Sequence, residues 1–166
     1  MKRIILTSVL FVLLIGASSL APAKKYKYTS DEAKFSITFP KEFNTSEEVQ
    51  ENYKSVQAQA MSDEMVFLAI YTIHEEDITQ NEELSEISFD AFMEGLNGTP
   101  NGKTTWKVKK NSGLKSEYEV SEKNLVGEYR VILVGQIQYQ VTAVSPKGSW
   151  DDKKAEKFFK SFKLKK

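Results

Sequence analysis

Any chemistry in this chain has few side chains to start from, and the most reactive is His74, the only histidine. It opens the most acidic interval of the sequence, which runs to Glu86 with Glu75, Glu76, Asp77, Glu82, Glu83 and Glu86 and without a single Lys or Arg. Clustered carboxylates suggest a calcium loop. That chemistry needs oxygens converging from a tight turn, and the alternating Asp or Asn spacing around a central Gly is missing. Zinc is no better served, since a lone imidazole has no second His and the chain has no Cys. The missing thiol also removes thiol catalysis and iron-sulfur clusters. A Ser-His-carboxylate site cannot be built merely because serines abound. The interval therefore reads as a solvated, mobile loop, with His74 at the end of a strand. No catalytic residue, cofactor or metal ligand is expected.

Charge placement is more informative than catalytic equipment. Residues 74–86 carry a formal −6 with His74 neutral, and residues 153–166 carry seven lysines and one glutamate, a formal +6. Two arrangements are open. Either the closing segment lies beside the acidic interval and the two neutralise each other, or they sit apart as poles that attract oppositely charged partners. Surface ion pairs are weak and cost little to leave hydrated, which favours neutralisation or plain solvation. The pole arrangement nevertheless gives the best candidates for partner contact, Lys153, Lys157 and Lys160 on one side and Glu75, Glu76 and Asp77 on the other. Across the whole chain 23 basic residues balance 23 acidic ones. Such a surface lacks the field that concentrates nucleic acid or anionic membrane.

The N-terminus addresses the protein. Met1-Lys2-Arg3 precedes an apolar run from Ile4 to Ile15, and small residues then lead to Ala21-Pro22-Ala23. This is the pattern of a secretory signal peptide, residues 1–23, with cleavage after Ala23. The run falls short of the roughly 20 residues that span a bilayer. No cysteine follows, so lipid attachment is excluded, and a periplasmic or secreted location is expected without a membrane span after cleavage. Cleavage would remove Lys2 and Arg3 and no acid, leaving a formal −2. Residues 24–166 form one domain, large enough to fold around its own core without disulfides.

The elements that must position these charges are mostly strands. Lys24-Lys25-Tyr26-Lys27-Tyr28 alternates aromatic and basic residues and reads as a first, edge-like strand; Phe35, Ile37 and Phe39 mark a second, stopped by Pro40. Residues 41–50 are expected to be loop. Tyr53 to Met61 and Met65 to Ile73 pair about a turn at Ser62-Asp63, and the second, nearly all apolar, belongs at the centre of the sheet. Ser88 is expected to cap a short helix carrying Phe89, Phe92, Met93 and Leu96. Trp106 and Val108 pair with Leu114 to Val120 about a turn at Asn111-Ser112-Gly113. The strongest signal is Glu128 to Val144, two strand-forming runs divided at Gly135-Gln136. A II′ turn there pairs Val134 with Ile137 and puts Ile132, Val134, Ile137, Tyr139, Val141 and Ala143 on the core face. The opposite face, with Tyr129, Val131, Leu133, Gln138, Gln140 and Thr142, is expected to be half covered. A closing helix starts at Ser149-Trp150-Asp151-Asp152, turns Ala155, Phe158, Phe159 and Phe162 inward and leaves Lys153, Lys157 and Lys160 outside.

Runs of strands with helices between and after them make an α+β fold, an antiparallel sheet packed with helices. In KFSITFP, in YQVTAV and in the closing KFFKSFKL the chain resembles the PsbP-like family of extrinsic accessory proteins. The resemblance implies an α-β-α sandwich and a non-catalytic, accessory style of action, and it carries over no functional residue. It does not imply photosynthesis, because the N-terminus has the form of a short bacterial export signal rather than a transit peptide. Two functions remain in view. One is an envelope or secreted binding module that holds an unidentified protein partner. The other is a carrier of an apolar small molecule, in a pocket lined by Phe67, Phe92 and Trp106.

Overall fold

The computed structural model describes residues 26–79 and 82–165. The expected signal peptide, with Lys24 and Lys25, lies outside the described residues. The chain from Tyr26 onward runs β1 (Tyr26–Ser30), β2 (Phe35–Phe39), β3 (Asn44–Gln50), β4 (Tyr53–Ser62), β5 (Met65–His74) and α1 (Glu82–Leu96). It continues through β6 (Thr99–Pro100), β7 (Thr104–Val108), β8 (Asn111–Val120), β9 (Leu125–Val134), β10 (Ile137–Pro146), α2 (Asp152–Lys160) and β11 (Lys163–Leu164). The result is a single α+β domain dominated by antiparallel sheet.

The large sheet has the order β3-β4-β5-β10-β9-β8-β6, with β7 also pairing β8. β5 is central, as its apolar run requires, and it alternates between two cores. Met65, Phe67, Ala69 and Tyr71 point to one face, and Val66, Leu68 and Ile70 to the other. The β9–β10 hairpin has the expected register, Val134 opposite Ile137, and only Gly135 of its two turn residues has positive φ, as a II′ turn demands. Ile132, Tyr139, Val141 and Ala143 enter the first core, joined at its margin by Val134 and Ile137.

The opposite face is more completely covered than its mixed composition suggests. α1 lays Phe89 and Met93 over Tyr129, Val131 and Tyr118, and Phe92 stacks on Tyr129 with ring centroids 3.9 Å apart. Gln138 and Thr142 are buried beneath this layer, yet their polar atoms are matched. Gln138 Nε2 donates to Ser88 Oγ at 2.8 Å, and Thr142 Oγ1 donates to Glu128 O at 2.9 Å. Ser88 is thus an interior residue of α1 rather than its cap, and the helix begins six residues earlier, within the acidic interval. Carboxylates suit that end of a helix, where unpaired backbone N–H groups leave partial positive charge.

The first core is closed by two elements side by side. One is a separate three-stranded sheet of order β1-β2-β11, which contributes Phe35, Ile37, Phe39 and Leu164; the other is α2, which contributes Ala155, Phe158 and Phe159. The second sheet makes this outer layer richer in strand than an α-β-α sandwich implies. Two further expectations are corrected. Residues 44–50 are not loop but the exposed edge strand β3, held by pairing to β4 although nothing in their pattern is apolar enough to announce it. The β7–β8 turn falls at Lys109-Lys110, with Lys109 left-handed at φ 55°, and Gly113 lies in β8 opposite Trp106.

Candidate functional site

α2 forms one wall of a groove that gathers five lysines. Asp151 caps the helix, its carboxylate accepting from Lys154 N at 3.0 Å. Burial of Ala155, Phe158 and Phe159 at helical spacing then forces Lys153, Glu156, Lys157 and Lys160 to the outside. At the far end Ser161 stitches the helix to β2. Its hydroxyl accepts from Thr38 N at 2.8 Å, and its own backbone N–H reaches Phe158 O at 3.0 Å. The chain then turns back, so that Lys163 in β11 lies opposite Ser36 in β2, while Lys27 in β1 lies opposite Thr38.

Helix wall and strand floor enclose an open groove of about 590 Å³. Among the described residues its charged lining is Lys27, Lys153, Lys157, Lys160 and Lys163 against Glu156 alone, and Ser36, Thr38 and Ser161 supply hydroxyls between them. Glu156 accepts from Lys160 Nζ at 2.6 Å, and this hydrogen bond holds its carboxyl below the ordinary range. Among the described residues the other four lysines have no carboxylate within ion-pair distance. The structure thus brings Lys153, Lys157 and Lys160 together on one wall and adds Lys27 and Lys163. The last two were invisible as members of the site, because each looks like an ordinary outward residue of a strand until β2 brings those strands together.

The acidic candidates lie elsewhere. α2 starts beside the β4–β5 turn, where Lys154 Nζ meets Asp63 Oδ2 at 2.7 Å and Ser149 donates to Glu64. Glu75, Glu76 and Asp77 follow the opposite end of β5, about 33 Å away for ten residues of strand. All three are exposed, and among the described residues none pairs with Lys153, Lys157 or Lys160. The segment is tied to the β9–β10 turn by Ile78 N to Gly135 O at 3.0 Å and by Gln136 Nε2 to Glu75 O at 2.6 Å. His74 is half-buried with Nε2 3.3 Å from Gln138 Oε1, and burial holds its imidazole below the usual 6.5. Among the described residues no group of three His, Cys, Asp or Glu is placed to hold a metal.

The three candidate pocket residues do not share a pocket. Phe67 packs on Phe158, and Trp106 on Phe162, each with ring centroids 5.1 Å apart, both in the core under α2. Phe92 is part of α1 itself, on the other face of the sheet. A second, smaller concavity of about 300 Å³ is lined by Tyr28, Glu32, Glu47, Lys54 and Tyr71. There Lys54 Nζ bridges Glu32 at 2.9 Å and Glu47 at 3.4 Å, so both carboxylates are already engaged by one ammonium.

No protein-family model matches the chain, and no curated protein matches it. It is similar in structure to a protein of Bacteroides thetaiotaomicron VPI-5482 known from a crystal structure at 1.50 Å, with a TM-score of 0.52 and 16% identity over 87% of this chain. The chain spans about half the length of that protein. A likeness at this identity supports the fold. No helix among the described residues is long and apolar enough to cross a membrane.

Proposed function

We propose that this is an exported, non-catalytic accessory protein of the cell envelope, a PsbP-like sandwich in general plan, that acts by holding a protein partner in the groove between α2 and β2. The observation that carries this reading is the convergence of five lysines on one concave surface with a single, already paired carboxylate. Like charges gathered from three separate segments repel one another across the groove, so the arrangement gains most when an acidic surface fills it. The carrier reading loses its stated basis, because Phe92 and Phe67 face opposite sides of the sheet.

The test is a pull-down from envelope extract at increasing salt, with wild type and a Lys153→Gln, Lys157→Gln, Lys160→Gln variant. Capture should weaken steeply toward about 0.5 M, where the Debye length is roughly 4 Å, and the variant should lose it with an unchanged melting temperature. Capture indifferent to both salt and substitution would remove the groove as the contact. Native mass spectrometry of the purified protein separates the two functions, because a co-purifying small mass instead of a polypeptide would favour the carrier. N-terminal sequencing of the exported form should begin at Lys24; recovery of Met1 would replace the cleaved signal with an anchor.

A further inference from the structure

We infer that the segment of the partner seated in this groove is an extended acidic peptide with carboxylates at alternate positions, an inference that rests on the contact reading above. Lys153, Lys157 and Lys160 follow one another along the wall at axial steps of about 6 and 4.5 Å. Side chains on one face of an extended chain recur every 6.5 to 7 Å or so. The first step nearly matches that repeat and the second is about 2 Å short of it, a gap that a flexible lysine stem spans. Successive carboxylates of such a chain can therefore reach successive lysines of the wall, while a block of adjacent acids sends every second carboxylate away from it.

The floor narrows the chemistry further. Ser36 is only 5% exposed and lines the groove, and among the described residues its hydroxyl has no hydrogen-bond partner. It offers a small polar contact at the base, of the kind a carboxylate oxygen or a backbone carbonyl accepts. Among the described residues no aromatic side chain lines the groove, so nucleobases find no stacking platform there. Glu156 argues against a uniform polyanion. A polyphosphate would meet its negative charge along the wall with nothing but acceptors, whereas a peptide also brings N–H donors that can face it. β2 is flanked by β1 and β11 along the floor, so its own backbone is already paired and it offers the groove side chains.

The experiment is fluorescence anisotropy on the protein with two labelled synthetic peptides of equal length and composition, one alternating Glu and Ser and the other with all its Glu at one end. The alternating peptide should bind about tenfold more tightly, the effect of one or two well-placed charge contacts. Lys27→Gln with Lys163→Gln, and separately the triple helix variant, should each reduce that binding about tenfold or more, since the groove needs both floor and wall. Far-UV circular dichroism of each variant checks that the fold is kept. Equal affinity for the two peptides, or displacement of both by inorganic polyphosphate at lower concentration, would overturn the inference. If the envelope pull-down is lost in the triple variant while neither peptide binds, the contact reading stands and the extended-peptide inference fails.

Discussion

Replacing Gly113 by Ala tests the sheet where sequence pattern and structure disagree most. In an Asn-Ser-Gly turn an alanine would be tolerated or mildly costly. In β8, a Cβ on Gly113 would lie 2.0 Å from Val131 O and 2.8 Å from both Cα and Cβ of Ile132. Reaching an ordinary contact of 3.4 Å from that oxygen requires a displacement of about 1.4 Å. A backbone atom cannot swing away as a side-chain tip can, so the movement must come from the spacing of β8 and β9. A ladder hydrogen bond of about 2.9 Å does not survive that stretch. Overpacking costs about 1 to 3 kcal/mol, and two lost ladder bonds add about 1 kcal/mol each. The total is about 3 to 5 kcal/mol, which lowers the melting temperature by about 10 to 15 °C in a domain of this size. Gly95→Ala is the control, because nothing lies within 4 Å of its Cβ position and it sits inside α1. That change should stabilise by about 0.5 to 1 kcal/mol through helix propensity and reduced unfolded-state freedom. Thermal denaturation followed by circular dichroism reads both. A Gly113→Ala protein melting within about 3 °C of wild type, beside a Gly95→Ala protein that behaves as stated, would refute the placement of Gly113 in β8 against β9.

On the core face, Ile132→Asp or Val141→Asp should unfold the domain, since an unpaired buried carboxylate costs several kcal/mol out of a margin of about 5 to 15. The opposite-face change Gln138→Asp, mild if that face were half open, should now also lower the melting temperature, because Gln138 is buried and bonded to Ser88 and His74. Arg130 bonds Glu128 through Nη2 at 2.7 Å and Nε at 2.8 Å, and its guanidinium lies 4.1 Å from the Phe159 ring. Arg130→Ala should cost about 3 kcal/mol by stranding a largely covered carboxylate. Arg130→Met with Glu128→Gln should cost less; urea midpoints showing the double variant to be the worse would count against the pair. Burial holds His74 below its ordinary 6.5, so the unfolded chain takes up the proton first and stability falls as pH drops from about 6.5 toward the folded midpoint. His74→Gln should flatten that limb. The Lys154 ammonium, through its hydrogen bond, holds Asp63 below 3.8, so its contribution is present above that pH and fades as pH falls through the folded value. Its NMR midpoint should rise in Lys154→Gln, and an unmoved midpoint would discount the ion pair.

Much of the sheet could be read from the sequence because strand and turn signals are local. Period-two alternation and a glycine able to take positive φ fix the β9–β10 register within seventeen residues, and the uninterrupted apolar run of β5 can only be central, since both its faces need cover. Asp151 and the Ala155, Phe158, Phe159 stripe likewise determined α2 and its outward lysines. What needed the tertiary structure were the features without an apolar signature of their own. β3 is polar but for the exposed Val49, and it is a strand only because β4 offers it backbone partners. Gly113 carries a turn residue's identity, but the close approach of Val131 decides its place. Lys27, Ser36, Thr38 and Lys163 became a site only when β1, β2 and β11 paired and Ser161 bonded Thr38, 123 residues away in the chain. Charge carries no directional pattern along a sequence. The lysines of α2 were therefore countable in advance, while the groove they line, and its distance from Glu75, Glu76 and Asp77, followed only from how the layers stack.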